Sequence, residues 1–303
     1  MKEAFLRRVA AVFSAVGMVT LTSCGSRVEL MSSEASNQSF WPTDVSSATE
    51  SNTATENNTS EPVTEPFSLD VSVPEGYKLP DSYVIDGFKS ILQKPELPTG
   101  CEVTALCEVL NYLGFGIDKV ELADEFMPMD NNGLSTMYHA YIGDPKVEEG
   151  FGCYSPVIVQ TANDYFQSLD SPCYAVDLTG TELNDLFFQV AEGRPVIAWS
   201  TIALIISYPN FRWTTWEGEE MWFNDFQHCV AIYGFDCNAN TVHVADPLAG
   251  NVTYDIDRFK AAYELMGKQA VVICGDSSTA GKYRPIEGAP HSEILSRNKQ
   301  EQE

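Results

Sequence analysis

The chain has 303 residues, with 18 Lys and Arg against 43 Asp and Glu, so its formal charge near neutrality is −25. That balance excludes nucleic acid and an anionic membrane surface as electrostatic partners, and it suits an extracellular domain, a basic substrate or simply a well-solvated acidic surface. Residues 67–276 are ordinary in length for one domain and show neither an internal repeat nor a second lipophilic span.

Residues 1–23 read as a bacterial export signal. Lys2, Arg7 and Arg8 supply the positive start, and residues 9–21 form an apolar core too short to span comfortably as a mature membrane helix. The core runs into Leu21-Thr-Ser-Cys24, which resembles a lipobox, the signal for lipid attachment to Cys24 and cleavage before it. An ordinary secretory signal with a chance cysteine is the other reading. Residues 24–66 are dense in Ser, Thr, Asn, Glu and Pro. They bury too little to offset chain entropy, so a disordered tether is expected, holding a domain off the outer face of the cell membrane.

The domain's chemistry starts at Gln93-Lys-Pro-Glu-Leu-Pro-Thr-Gly-Cys101-Glu-Val-Thr-Ala-Leu. Thr99 and Glu102 have capping-box spacing, which predicts a helix with Cys101 in its first turn. Val103, Leu106, Cys107, Leu110 and Leu113 share one face, and Gly114 ends the run. Unpaired N–H groups and the positive end of the helix dipole favour a thiolate there, and the thiolate is the nucleophilic form. The plain alternative is a small buried apolar residue.

A second helix is expected around Val120, Ala123, Phe126 and Met127, closed by Pro128, and residues 130–152 read as loop. A third helix follows at Val157 to Leu169, then a short strand at 173–177. Thr179 and Glu182 form another capping box, predicting a helix with Leu183, Leu186, Phe187 and Val190 inward. Residues 195–199 form a strand. Residues 208–226 carry Trp213, Trp216 and Trp222 among Glu217, Glu219, Glu220 and Asp225. This segment is either a substrate-binding hairpin for a basic peptide or a hairpin that buries its own aromatics. Trp199, Trp222 and, beside the thiol, Gly100 are the candidate substrate contacts.

In His228-Cys-Val-Ala-Ile-Tyr-Gly234, alternation places His228, Val230 and Ile232 on one strand face. Residues 236–240 have turn composition, and Thr241-Val-His-Val-Ala-Asp246 returns. An antiparallel hairpin sets His228 and Asp246 nearly opposite each other. A cysteine hydrolase needs that pairing: imidazole to take the thiol proton and later give it up, carboxylate to hold the imidazole tautomer. A structural His–Asp pair is the alternative. His139, His243 and His291 read as structural or surface residues. Residues 257–266 suggest a helix, 269–274 a closing strand, and 277–303 a polar tail.

The chain has 8 cysteines. With Cys24 lipidated and Cys101 free, Cys107, Cys153, Cys173, Cys229, Cys237 and Cys274 remain, and their apolar settings predict mostly reduced, buried thiols. Cys153–Cys173 is the one bridge worth testing. No spacing suggests a metal site, and no cofactor is expected.

Gln93…Pro-Thr-Gly-Cys101-Glu-Val-Thr-Ala-Leu, His228-Cys-Val-Ala-Ile-Tyr-Gly-Phe-Asp and Ala-Asp246-Pro-Leu-Ala-Gly resemble, in that order, the peptidase-like relatives of the bacteriocin-processing (double-glycine-leader) cysteine peptidases, within the papain-like superfamily. The resemblance covers about residues 80–275. It implies an α+β, papain-like fold with the cysteine helix packed on an antiparallel sheet. It also implies that Gln93 donates to the oxyanion hole with the Cys101 backbone N–H. The gap from Gln93 to Cys101 is longer than the usual papain-type gap. The expectation is a membrane-anchored extracellular thiol hydrolase, monomeric, acting on a peptide or protein through Cys101, His228 and Asp246. A catalytically silent binding module and an acyltransferase stand as alternatives.

Overall fold

The computed structural model describes residues 71–275. The expected export signal, Cys24, the tether and the tail lie outside the described residues. The β-branched and aromatic runs of the second half, with one short strand from the first, form one seven-stranded antiparallel sheet. Its members are β1 (Ser82–Val84), β4 (Tyr174–Asp177), β5 (Val196–Thr201), β8 (Gln227–Asp236), β9 (Thr241–Asp246), β10 (Gly250–Asp255) and β11 (Ala270–Cys274). The order is β10-β9-β8-β5-β11-β4, and β1 pairs with the far end of β8. Two short pairs stand apart, β2 (Met129–Asp130) with β3 (Tyr141–Ile142), and the hairpin β6 (Phe211–Thr214) with β7 (Glu220–Phe223). β5 and β11 are buried at every residue, so the centre of the sheet is covered on both faces.

The helices are α1 (Cys101–Tyr112), α2 (Lys119–Phe126), α3 (Ser155–Ser168), α4 (Leu183–Ala191) and α5 (Ile256–Leu265). Each lies where the sequence reading expected one. None among the described residues is long and apolar enough to cross a membrane. α1 packs against β8, β5 and β9 and against α2 and α3. Enclosed by so many elements, it is buried along all of Cys101 to Leu110, not on one face alone, and that burial includes Glu102 and Glu108. Two carboxylates inside a core helix need partners or protons.

Both predicted capping boxes are corrected. The N-cap of α1 is Gly100, without a side-chain cap. The Thr99 hydroxyl instead donates to the Val147 carbonyl at 2.9 Å, and the Tyr141 hydroxyl donates to the Thr99 carbonyl at 2.8 Å. A tertiary loop has taken the side chain that the local motif would use. α4 begins at Leu183 behind Glu182, again with no side-chain cap, while Thr179 bonds Asp177 and Ser155. α2 and α5 are capped by Asp118 and Asp255, whose carboxylates accept from first-turn N–H groups.

The hairpin of β8 and β9 forms as predicted, with one offset. Asp236 pairs with Thr241 and Gly234 with His243, and then a bulge between Ile232 and Gly234 shifts the ladder to Ile232↔Val244 and Ala231↔Ala245. Continued by one residue, that register sets Asp246 beside Val230, on the same face as His228 and a diagonal step away. The extra residue of a bulge is how a strand re-aims its side chains.

Candidate active site

Three segments converge at the start of α1. The first is 91–98, which is fastened on several sides. Ile91 N–H donates to Glu108 Oε1 at 2.8 Å, Gln93 N–H to the Pro247 carbonyl at 2.8 Å, and Lys119 Nζ to the Leu92 carbonyl. Gln93 is 2% exposed. One N–H of its amide donates to the Pro98 carbonyl at 2.6 Å, and the second is the one an oxyanion role would use. The second segment is β8 with β9. The third is the loop 151–154.

On β8 and β9 the imidazole Nε2 of His228 is 2.7 Å from Asp246 Oδ1, with both side chains nearly inaccessible. Asp246 is an acceptor here, so Nε2 carries the hydrogen and Nδ1 is left to take a proton. The Leu248 N–H donates to the same Oδ1 at 2.8 Å and the Tyr254 hydroxyl to Oδ2 at 3.0 Å. Burial alone would raise the Asp246 carboxyl, but the His228 charge and hydrogen bond, with the Leu248 and Tyr254 donors, hold it below its usual value. Asp246 therefore stays ionised.

Cys101 sits at the first position of α1 and is 7% exposed. The helix packs on β8, and the backbone N–H of Cys229, the residue next to His228, is near enough to work against a rise of the Cys101 pKa. The Cys101 thiol donates to Glu102 Oε2 at 3.2 Å. The expected pull toward thiolate is reversed at rest. Burial, and then the adjacent Glu102 carboxylate, push the Cys101 thiol well above its ordinary range. The helix dipole is outweighed by desolvation and a charge one residue away.

Glu102 is the functional-site residue that the capping motif concealed. Its Oε1 accepts the Cys153 N–H at 3.1 Å and the Gln227 amide at 3.3 Å, tying the loop 151–154 and the first residue of β8 to α1. The Gln227 amide also reaches the Phe151 carbonyl at 3.4 Å. Phe151 in turn packs against Phe211, Trp213 and Phe223, so the aromatic hairpin β6–β7 is coupled to this corner. The hairpin buries part of its aromatics and leaves Trp216 at 73% and Trp222 at 36% exposure. The Arg212 guanidinium lies over the Trp222 ring at 5.5 Å.

Two expected substrate contacts are corrected. Trp199 is fully buried, and its indole N–H donates to the Cys153 carbonyl at 2.9 Å, so it braces the loop behind Glu102. An apolar body with one polar edge, placed mid-sheet, packs before it can line a surface. Gly100 is buried too, and a Cβ there would come within 2.9 Å of the Leu97 side chain. Its small size serves the turn into α1. His243 bonds Thr253 at 2.9 Å and His139 bonds Thr136 at 3.2 Å.

The seven described cysteines form no disulfide with one another, so the Cys153–Cys173 bridge is not made. Cys237 is exposed, against the expectation of burial, because it follows β8 in the turn toward β9. Among the described residues no group of three His, Cys, Asp or Glu is placed to hold a metal ion.

Glu108 lies two turns along α1 from Cys101. Its Oε2 has no hydrogen-bond partner, and burial, followed by the Asp246 charge, raises its carboxyl well above the usual range. A carboxyl raised on folding supports the fold fully below its unfolded pKa and loses that support as pH climbs toward its folded value. Wild-type melting temperature is therefore expected to fall from pH 5 to pH 8, and Glu108→Gln to flatten that fall. Gln keeps an acceptor for Ile91 and carries no charge. Thermal denaturation of both proteins across that range checks it, and parallel curves for the two would contradict it.

A buried His–Asp pair on an antiparallel sheet, with a cysteine at the head of the packed helix, defines an α+β fold of the papain-like cysteine-peptidase kind. The chain belongs to the Peptidase_C39 like family, whose model matches residues 85–271. It is 33% identical over 189 residues to the uncharacterized protein YvpB of Bacillus subtilis (strain 168), covering 60% of this chain and 72% of that one. It is also similar to the crystal structure of a protein described as a C39-like peptidase from Bacillus anthracis. That match has 29% identity and a TM-score of 0.57 and covers 64% of this chain and 98% of that chain. A double glycine motif protease from an AMS/PCAT transporter, in complex with the leader peptide, matches at 12% identity and a TM-score of 0.32. It covers 63% of this chain and 94% of its own, and is too distant to bear on the chemistry.

Proposed function

We propose that this protein is a thiol hydrolase that cleaves peptide or related amide bonds. The observation that carries the reading is the buried His228–Asp246 pair at 2.7 Å, on the two strands against which the helix headed by Cys101 packs. In the reaction, His228 Nδ1 takes the Cys101 proton and the sulfur attacks the acyl carbonyl. The oxyanion is received by the Cys101 backbone N–H and the Gln93 amide, donors that typically contribute ~10²–10³ in rate. His228 then protonates the leaving amine as the C–N bond breaks, leaving a thioester. Water attacks the thioester with His228 again as base, the C–S bond breaks, and the acid leaves as the thiol regains its proton. Asp246 fixes the imidazole throughout.

The hairpin supports a substrate class. Trp216 offers a ring face beside exposed Glu217 and Glu219, a setting that suits a peptide with cationic and apolar side chains. Membership in the Peptidase_C39 like family, and the likeness to the B. anthracis protein, support a peptidase over an unrelated use of the same fold.

The test is a peptide-borne electrophile, such as a peptidyl vinyl sulfone library, read by mass spectrometry. Cys101 should be labelled in preference to exposed Cys237, and labelling should drop to background in His228→Ala. Equal labelling of both cysteines, indifferent to His228, would favour a silent binding module. The burial of the Cys101 thiol gives that second reading its support. An acyltransferase would show itself by added amine trapping the acyl group.

We also propose that the protein is held by a lipid on Cys24 at the outer face of the cell membrane. This rests on Leu21-Thr-Ser-Cys24 and the apolar segment before it. Cys24→Ser is expected to move the protein from the membrane fraction to the soluble one. Unchanged retention would argue against the anchor.

A further inference from the structure

We propose that Glu102 is a positioning residue that holds the Cys101 proton while the cleft is empty, so that the nucleophile forms only when the thiol hydrogen swings from Glu102 to His228. The proposal rests on Cys101 being the nucleophile. Its geometry is a carboxylate on the neighbouring residue, fully enclosed, with Oε2 3.2 Å from the sulfur. The other oxygen is fixed by the Cys153 N–H and the Gln227 amide at 3.1 and 3.3 Å. With Oε1 held by two donors, Oε2 cannot turn away from the sulfur. A thiol that points its hydrogen at Glu102 is not pointing it at an imidazole.

The surroundings agree. The titratable groups facing this pair are His228 and Cys229 from β8, Asp246 from β9, and Tyr141, Cys153 and Tyr154 from the 141–154 segment. Of these only His228 can carry positive charge, and when it does it favours the ionised form of Glu102. Burial raises the Glu102 carboxyl from its usual value, while the donors from its own N–H, Cys153 and Cys101 work against that. A thiolate beside an ionised Glu102 would set two negative charges together in a dry site, which nothing but His228 offsets. Protonated sulfur is therefore the resting form, and an arriving substrate that displaces the thiol hydrogen from Oε2 hands it to His228. No bond is made or broken in this step beyond the S–H proton passing to the imidazole nitrogen.

The test reads the sulfur directly, without a substrate. In the full chain, alkylation of Cys101 by iodoacetamide is followed by peptide mass spectrometry from pH 5 to pH 10, for wild type and Glu102→Gln. Gln keeps the acceptor for Cys153 and Gln227, removes the charge and turns an N–H toward the sulfur. The midpoint of Cys101 labelling is expected to fall by about one pH unit, roughly tenfold more labelling at neutral pH. If Glu102 only ties the loop to α1, the variant melts lower while the midpoint stays, and the proposal is overturned. A second readout needs only folded wild type. The infrared S–H stretch assigned by its loss in Cys101→Ser should lie below that of Cys107, which donates to the neutral Ile117 carbonyl. An S–H band at or above that of Cys107 would also overturn it. Neither readout depends on turnover, so a failure of the Glu102–Cys101 contact and a failure of hydrolysis are told apart.

Discussion

Cys101→Ala is expected to abolish peptide turnover, by a factor on the order of 10⁴ or more. The sulfur is the proposed carrier of the acyl group, and alanine leaves nothing in its place. Losing one member of a nucleophile–base unit costs nearly as much as losing all of it. What survives is binding and oxyanion stabilisation without a nucleophile. The substitution should spare the fold. Cys101 is a small side chain at the first position of a helix anchored by its neighbours. Peptide-library profiling of wild type and variant, with circular dichroism of both, measures the loss. Cleavage that persists at wild-type rate in a folded Cys101→Ala would end the proposal that this thiol is the catalyst. A partial loss of about tenfold would place the sulfur near the site and the chemistry elsewhere.

The elements that position this chemistry were legible because each rests on local rules. Apolar spacing fixed α1, and alternation with a turn fixed the β8–β9 hairpin, so Cys101 and the His228–Asp246 pair could be read before any packing was known. The failures have a common cause, competition from residues far away in the chain. Thr-x-x-Glu makes a capping box only where nothing better is offered. Tyr141 and Val147 took Thr99, and the loop at Cys153 with Gln227 took Glu102. Trp199 looked available because an aromatic at a strand end near the histidine segment is compatible with a cleft wall. The carbonyl of Cys153, distant in sequence, drew its indole N–H inward instead. The bulge at Ile232–Gly234 left no sequence signal beyond the glycine, although it decides that His228 and Asp246 meet on a diagonal. The rest state of the thiol was misjudged for a related reason. The dipole of a helix is visible in sequence, whereas the dry enclosure that outweighs it is a property of the assembled fold.

Asp246→Ala is expected to lower turnover by about 10⁴, the order of loss when a triad's carboxylate no longer holds the imidazole. Three donors converge on this side chain, from His228, Leu248 and Tyr254, and alanine strands them all. Stability should fall as well, since each buried donor left unpaired costs about 1–3 kcal/mol. The informative partner is Asp246→Asn. In this site His228 and Leu248 share Oδ1, and only the Tyr254 hydroxyl uses Oδ2. An asparagine can keep its oxygen toward His228 and Leu248 and turn its amide toward Tyr254, whose hydroxyl then accepts. The imidazole tautomer survives and only the charge is lost. We expect Asp246→Asn to retain ten- to a hundredfold more activity than Asp246→Ala, on the order of the gap between losing a charge and losing an orientation. Parallel kcat measurements on the two variants, with thermal melts as a control, decide it. Equal, complete losses would mean the negative charge itself is indispensable. Equal, negligible losses would mean that the His228–Asp246 contact is structural, and the hydrolase reading would lose its main support.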